Sequence, residues 1–129
     1  TYEEKRERVI VYSKSRTICH AIDKAISSKY NVIEVISSDE IDKVIKQQRE
    51  IRIIIADLSN DEDDGKLIID YLDKNKDIAG IPKIAVCKES NIEQCKIAIQ
   101  GGVVDLMMEP IEKDIVRRRV SRIIKDEEK

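Results

Sequence analysis

Five short apolar runs, Val9–Tyr12, Val32–Ile36, Ile51–Ala56, Ile84–Cys87 and Val103–Met108, are spaced along the chain, and each is followed by a segment of helical periodicity. The first, third and fourth runs are nearly unbroken and lack in/out alternation. A strand reads that way when both of its faces are covered, as in a parallel sheet. Between the runs, apolar residues recur at i, i+3, i+4 spacing: Ile18, Ala21, Ile22, Ala25 and Ile26; Ile41, Val44 and Ile45; Leu67, Ile68, Tyr71 and Leu72; Ile92, Cys95 and Ile99; Ile115, Val116, Val120, Ile123 and Ile124. Each set forms a stripe along one helix face.

Strands that alternate with helices require right-handed crossovers and therefore a doubly wound sheet. Five of them in 129 residues predict a flavodoxin-like α/β fold, (βα)5, with one parallel sheet in the order 2-1-3-4-5. Helix boundaries are marked in the sequence. Ser38 precedes Asp39 and Glu40, acids suited to a first turn; Ser90 or Asn91 can cap the fourth helix; Gly101-Gly102 can end it with positive φ. The body of the domain is expected over 8–125, with 1–7 a tail or linker and 126–129 a tail or a link to an output domain. The chain opens on Thr1 without an initiator Met, so it is expected to be a piece of a longer protein.

The core must be aliphatic, because the chain has no Phe and no Trp. A net charge of −2, with 39% charged residues, gives no overall attraction to nucleic acid or to an anionic membrane. No run approaches the roughly 18 apolar residues of a membrane span, and Thr1 to Arg8 is too charged for a signal peptide. Cys19, Cys87 and Cys95 are odd in number and lack metal spacing. They read as reduced core thiols of a cytoplasmic protein.

In an open parallel sheet the ligand site lies beyond the carboxyl ends of the strands, at the switch point between the first and third. That rule selects Ser13, Lys14 and Ser15, then Asp57 and its loop, then Cys87-Lys88, then Glu109-Pro110.

On these residues the chain resembles the receiver domain of bacterial response regulators, the switch module of two-component signalling and phosphorelays, over nearly its whole length. A receiver's third strand ends in the phosphoaccepting Asp, followed by an Asp-Gly pair. Asp57, Asp64 and Gly65 fit that pattern. Gly102 through Glu109-Pro110 is similar to the family's Gly-to-Lys-Pro segment, where a cis peptide usually precedes the Pro, and Val9–Tyr12 is similar to its first strand.

The resemblance also exposes departures. In the family, an acidic pair after the first strand holds Mg²⁺, and a Lys before the Pro helps neutralise the phosphoryl group. Ser13 and Lys14 stand in place of the pair, and Glu109 in place of the Lys. Cys87 replaces the Ser/Thr that binds a phosphoryl oxygen, and Leu106 replaces the aromatic switch residue. Only Asp57 survives.

The resemblance therefore implies a degenerate receiver: not an enzyme, at most a phosphoacceptor, acting mainly by protein–protein interaction. No cofactor is expected. The alternative is a phosphorylatable receiver in which Asp57 takes phosphate from a histidine kinase, with Mg²⁺ required only then. The exchange of acid for base at the first strand, and of base for acid at the fifth, suggests that Lys14 reaches over Asp57 or Glu109 and replaces the metal's charge. On that view a Lys14→Asp plus Glu109→Lys variant gains metal-dependent phosphorylation.

Arg117, Arg118, Arg119 and Arg122 load the last helix with positive charge. Such a run complements the helix dipole, and the same arginines can be a nucleic-acid footprint. In receivers the face of the fourth helix, fifth strand and fifth helix commonly meets partners or a second copy. Arg117, Arg118 and Arg122 are therefore expected on a partner surface for other signalling domains, a histidine kinase or a homodimer, with nucleic acid a weaker reading against the net charge. The Asp61–Asp64 run is not a calcium loop: counted from Asp57, the sixth position is Glu62 instead of Gly and the twelfth is Ile68 instead of Glu. It reads as a solvated loop capping the third helix. His20 is isolated, and Met107 and Met108 read as core or interface.

Overall fold

The computed structural model describes residues 6–47 and 50–128, with side chains through 125. Its elements alternate strictly: β1 (Arg8–Tyr12), α1 (Arg16–Ile26), β2 (Asn31–Val35), α2 (Ser38–Gln47), β3 (Ile51–Asp57), α3 (Lys66–Lys74), β4 (Lys83–Cys87), α4 (Ile92–Gln100), β5 (Asp105–Met108) and α5 (Lys113–Glu128). The five strands are parallel in one sheet ordered β2-β1-β3-β4-β5, the order the sequence predicts. The unbroken apolar runs β1, β3 and β4 are the three central strands, and β2 and β5 form the edges.

The period-two geometry of a strand divides the core in two. Val9, Val11, Ile53, Ile55, Ile84, Val86 and Met107 face the helix pair α1 and α5, meeting Ile18, Ile22, Val116 and Val120. Ile10, Tyr12, Ile54, Ala56, Ala85 and Cys87 face the other side, meeting Ile41, Ile68, Leu72 and Ala98. With no large aromatic ring but tyrosine available, isoleucine fills most of the buried volume.

Local signals account for the ends of the helices. The cap of α2 is Ser37, one residue before the Ser38 the sequence suggested: Ser37 Oγ accepts from Glu40 N, and Glu40 returns by accepting from Ile36 N. This reciprocal arrangement satisfies two otherwise orphaned donors. Asn91 caps α4, its side chain accepting from Gln94 N at 3.2 Å. Gly102, not Gly101, takes the left-handed turn (φ 86°). Gly101 is needed for a different reason, since a Cβ there would lie 2.0 Å from Ile69 Cγ2, where α4 meets α3.

Arg6 donates to Ser27 O at 2.8 Å, and Glu7 O accepts from Asn31 N. At the other end α5 continues to Glu128, past residue 125. Residues 1–5 of the expected leading tail lie outside the described residues.

Candidate functional site

The carboxyl ends of β1, β3, β4 and β5 bring Ser13, Asp57, Cys87 and Glu109 to one edge of the sheet. Parallel register sets the depth: Asp57 stands opposite Val86, and Glu109 N donates to Cys87 O at 3.1 Å. The Glu109-Pro110 peptide is cis.

Asp57 is 1% exposed, and both of its carboxylate oxygens are occupied. Ser13 Oγ donates to Oδ2 at 2.6 Å, and Asn60 Nδ2 to the same oxygen at 2.9 Å. Ser59 donates twice to Oδ1, from its backbone N at 2.9 Å and from its hydroxyl. Ser13 is itself 1% exposed and is held by Ser15 N, which donates to its Oγ at 2.9 Å. A carboxylate with four short donors is satisfied without a cation. The sequence reading missed Ser59 and Asn60. The available signal was a serine two residues after an aspartate, the spacing of an Asx-turn.

Lys14 does not lie over Asp57 or Glu109. Its Nζ is 3.5 Å from Asp61 Oδ1, with the Lys14 side chain 54% exposed and that of Asp61 only 5%. The acidic loop is therefore not simply solvated. Asp61 also accepts from Tyr12 Oη at 3.3 Å. Burial pushes the Asp61 carboxyl above its ordinary value, against the lowering effect of Lys14. Burial, followed by the nearby Asp61, likewise raises the Tyr12 hydroxyl. Asp63 does cap α3, accepting from Gly65 N at 3.1 Å and Leu67 N at 2.8 Å. Gly65 adopts φ 86°, and a Cβ there would strike Leu58. Tyr12, Lys14, Ile36, Ser37, Asp61 and Leu67 border an open hollow of about 240 Å³ beside the site.

A second set of polar contacts fixes the loop after β4. Gln94, 2% exposed, donates to Leu58 O at 3.0 Å and accepts from Lys88 N at 2.9 Å. Asn91 Nδ2 donates to Asp64 Oδ1 at 2.9 Å. The loops after β3 and β4 are thus bonded to each other. Cys87 is fully buried beneath them; burial, then the neighbouring Cys95, pushes its thiol up to about 12. Leu106 is half-buried and borders a hollow of about 380 Å³ with Met108, Pro110, Ile111 and Arg119.

The arginines of α5 separate. Arg117 turns toward α1 and donates to Ala25 O at 2.7 Å, so it does not join Arg118 and Arg122 on the expected partner surface. Arg119 Nη1 lies 2.8 Å from Asp105 Oδ1, and Arg122 bonds Oδ2 of the same carboxylate. Arg118 is exposed, its nearest bond a 3.4 Å contact with Asp114 O.

Ser13 and Lys14, at the end of β1, offer a hydroxyl and an ammonium, which supply no anionic oxygen to a hard cation such as Mg²⁺. The carboxylate oxygens of Asp57 already accept hydrogen bonds from Ser13, Ser59 and Asn60. Among the described residues, no three His, Cys, Asp or Glu side chains are grouped to hold a metal ion, and no helix is long and apolar enough to cross a membrane.

No family model and no curated protein matches the sequence. Solved structures do match. A response regulator from Thermotoga maritima superposes with a TM-score of 0.79 at 18% identity, covering 93% of this chain and 98% of that one. A putative response regulator from Chloroflexus aurantiacus gives 0.80 at 16% identity over 94% and 99%. The signal receiver domain of a putative Luxo repressor protein from Vibrio parahaemolyticus gives 0.76 at 21% over 94% and 92%. Over that share of its length the chain carries the five-stranded doubly wound fold of these structures.

Proposed function

We infer that the chain is a degenerate receiver, a signalling module that works by docking other proteins and does not accept a phosphoryl group on Asp57. The observation that carries this reading is the closed hydrogen-bond shell of Asp57. In-line attack on a phosphodonor requires a free carboxylate lone pair and a cation to neutralise the incoming anion. Here Ser13, Ser59 and Asn60 engage both oxygens, and Lys14 is committed to Asp61. Removing those bonds to admit Mg²⁺ and phosphate would leave buried polar groups unpaired, at a cost of about 1–3 kcal/mol each.

The surface of α4, β5 and α5 supports the docking role. Ile92, Ile99, Val104 and Met108 are exposed there, and Arg118 adds an exposed guanidinium. Aliphatic anchors beside arginine suit a protein interface with another signalling domain, a histidine kinase or a second copy. A nucleic-acid role is less well supported, because Arg119 and Arg122 share the carboxylate of Asp105 and Arg117 is bonded to α1.

The test is incubation with acetyl phosphate and Mg²⁺, read by intact mass. The chain is expected to remain unmodified with or without the metal. Mg²⁺-dependent phosphorylation that disappears in Asp57→Asn would replace this reading with that of an ordinary phosphoacceptor.

A further inference from the structure

Two exposed aliphatic side chains stand apart from the α4–β5–α5 face. Ile36, in the turn between β2 and α2, is 58% exposed, and Leu67, in the first turn of α3, is 79% exposed. Both border the open hollow of about 240 Å³ beside the site, with Ile68 part of its lining. The core requires neither of them. Ile68, Ile69 and Leu72 supply the buried face of α3, and β2 ends on the buried Val35. Yet both are fixed at the backbone: Leu67 N donates to Asp63 Oδ2 at 2.8 Å, and Ile36 N donates to Glu40 Oε2 at 3.1 Å. Single aliphatics scattered over a surface are ordinary; two on capped backbone at the rim of one hollow mark a place for a partner.

Charge around the hollow is one-sided. Segments 36–40 and 61–67 carry Asp39, Glu40, Asp61, Glu62, Asp63 and Asp64; against them stand Lys66 and, from the end of β1, Lys14. Lys14 is already paired with Asp61.

We propose, resting on the reading of the chain as a docking module, that this edge receives a basic amphipathic helix of another protein. An aliphatic side chain of that helix sits between Ile36 and Leu67, and its lysines or arginines face the exposed Asp39 and Glu62. The hollow is bordered by the end of the central strand β1 and by the turns into α2 and α3, not by the backbone edge of a strand, so an extended segment finds no ladder to join. A helix offers aliphatic anchors at i, i+3 and i+4 with cations on both flanks, which complements an apolar centre rimmed by carboxylates. The arginine-bearing helix α5 of a second copy does not meet this need. Its apolar stripe, Val116, Val120 and Ile124, is in the core; Arg117 is bonded to α1, and Arg119 and Arg122 share Asp105.

The test titrates the isotopically labelled full chain with a synthetic leucine–lysine peptide of about 18 residues, long enough to hold a helix, with its leucines on one face. The controls are the same composition in scrambled order and a version with glutamate for lysine. The expected result is a saturable shift of the Ile36, Ser37 and Leu67 amides, with Ile99 and Val104 unchanged and neither control binding. Leu67→Ser should weaken binding about tenfold and leave the unfolding midpoint unchanged, since that side chain lies outside the core; Glu62→Lys should weaken binding as well. The proposal is overturned if the peptide does not bind, if the scrambled peptide shifts the same amides equally well, or if Leu67→Ser binds as the native chain does. It is also overturned if those amides shift when the chain alone is concentrated, which makes a second copy the occupant. The site and the docking module fail separately: shifts gathered on Ile99, Val104 and Met108 overturn the site and keep the module, whereas Mg²⁺-dependent phosphorylation of Asp57 overturns the degenerate reading itself.

Discussion

Ser13 Oγ donates to Asp57 Oδ2 at 2.6 Å, and neither residue is more than 1% exposed. A neutral hydroxyl thus occupies the end of β1 beside a buried carboxylate, where a receiver would carry an acid. Asp57 thereby becomes a structural hub joining the end of β1 to the loop after β3. Asp57→Ala removes the acceptor for Ser13, Ser59 and Asn60 together and should destabilise the fold by about 2–4 kcal/mol. Urea unfolding measures this directly. At a solvated phosphoacceptor the same change would be nearly neutral.

The Lys14–Asp61 pair gives a pH signature. Burial raises the Asp61 carboxyl above its ordinary 3.8, and Lys14 opposes the rise. An acid whose folded value is raised holds its proton more tightly in the folded state, so stability falls as pH climbs from 3.8 through the raised value. Lys14→Met should extend that window upward. Thermal melts should show the variant less stable than the native chain at neutral pH, by a small margin because Lys14 is half exposed, with the gap closing as pH falls toward the ordinary carboxylate value.

Asp105 behaves in the opposite sense. Burial alone would raise its carboxyl, but the Leu106 amide and the Arg119 and Arg122 guanidiniums outweigh burial and hold it below 3.8. Its stabilisation is therefore present above 3.8 and lost as pH falls through the depressed folded value. Asp105→Asn should lower the melting temperature at neutral pH and match the native chain in strong acid.

Gln94 bridges two loops from a buried position. Gln94→Leu leaves Lys88 N without a partner and takes from Leu58 O one of its two donors, the other being Asp61 N, and should cost about 1–3 kcal/mol. Hydrogen exchange should accelerate in the loop after β4 and the first turn of α4, with β1 unaffected.

The arginines of α5 divide the same way between stability and binding. Arg117→Ala removes the bond to Ala25 O and should lower the unfolding midpoint. Arg118→Ala should leave stability unchanged and weaken partner or self-association, measured by sedimentation or titration.

The fold was legible because burial on both faces leaves a direct trace: β1, β3 and β4 can be unbroken apolar runs only if helices cover both sides of them. The position of the site followed from topology, which depends on strand order and not on side-chain detail. The partners of Asp57 and Lys14 were less accessible. Lys14 has enough reach for several carboxylates, and the backbone path of residues 58–61 decides in favour of Asp61. Helical periodicity shows that Arg117 flanks the buried stripe of α5 but not which neighbour lies on that flank; packing against α1 settles it. Ser59 and Asn60 were readable as an Asx-turn on Asp57, a local signal overshadowed by the longer acidic run that follows.

The central claim is that the Asp57 carboxylate is closed to a cation and an anion. The most direct measurement is a titration of the isotopically labelled chain with Mg²⁺ and beryllofluoride, following the Ser59 amide that donates to Asp57 Oδ1. The Ser59 resonance should remain unchanged through millimolar concentrations of both. A saturable shift of that amide requiring Mg²⁺ and beryllofluoride together, and absent in Asp57→Asn, would contradict the account.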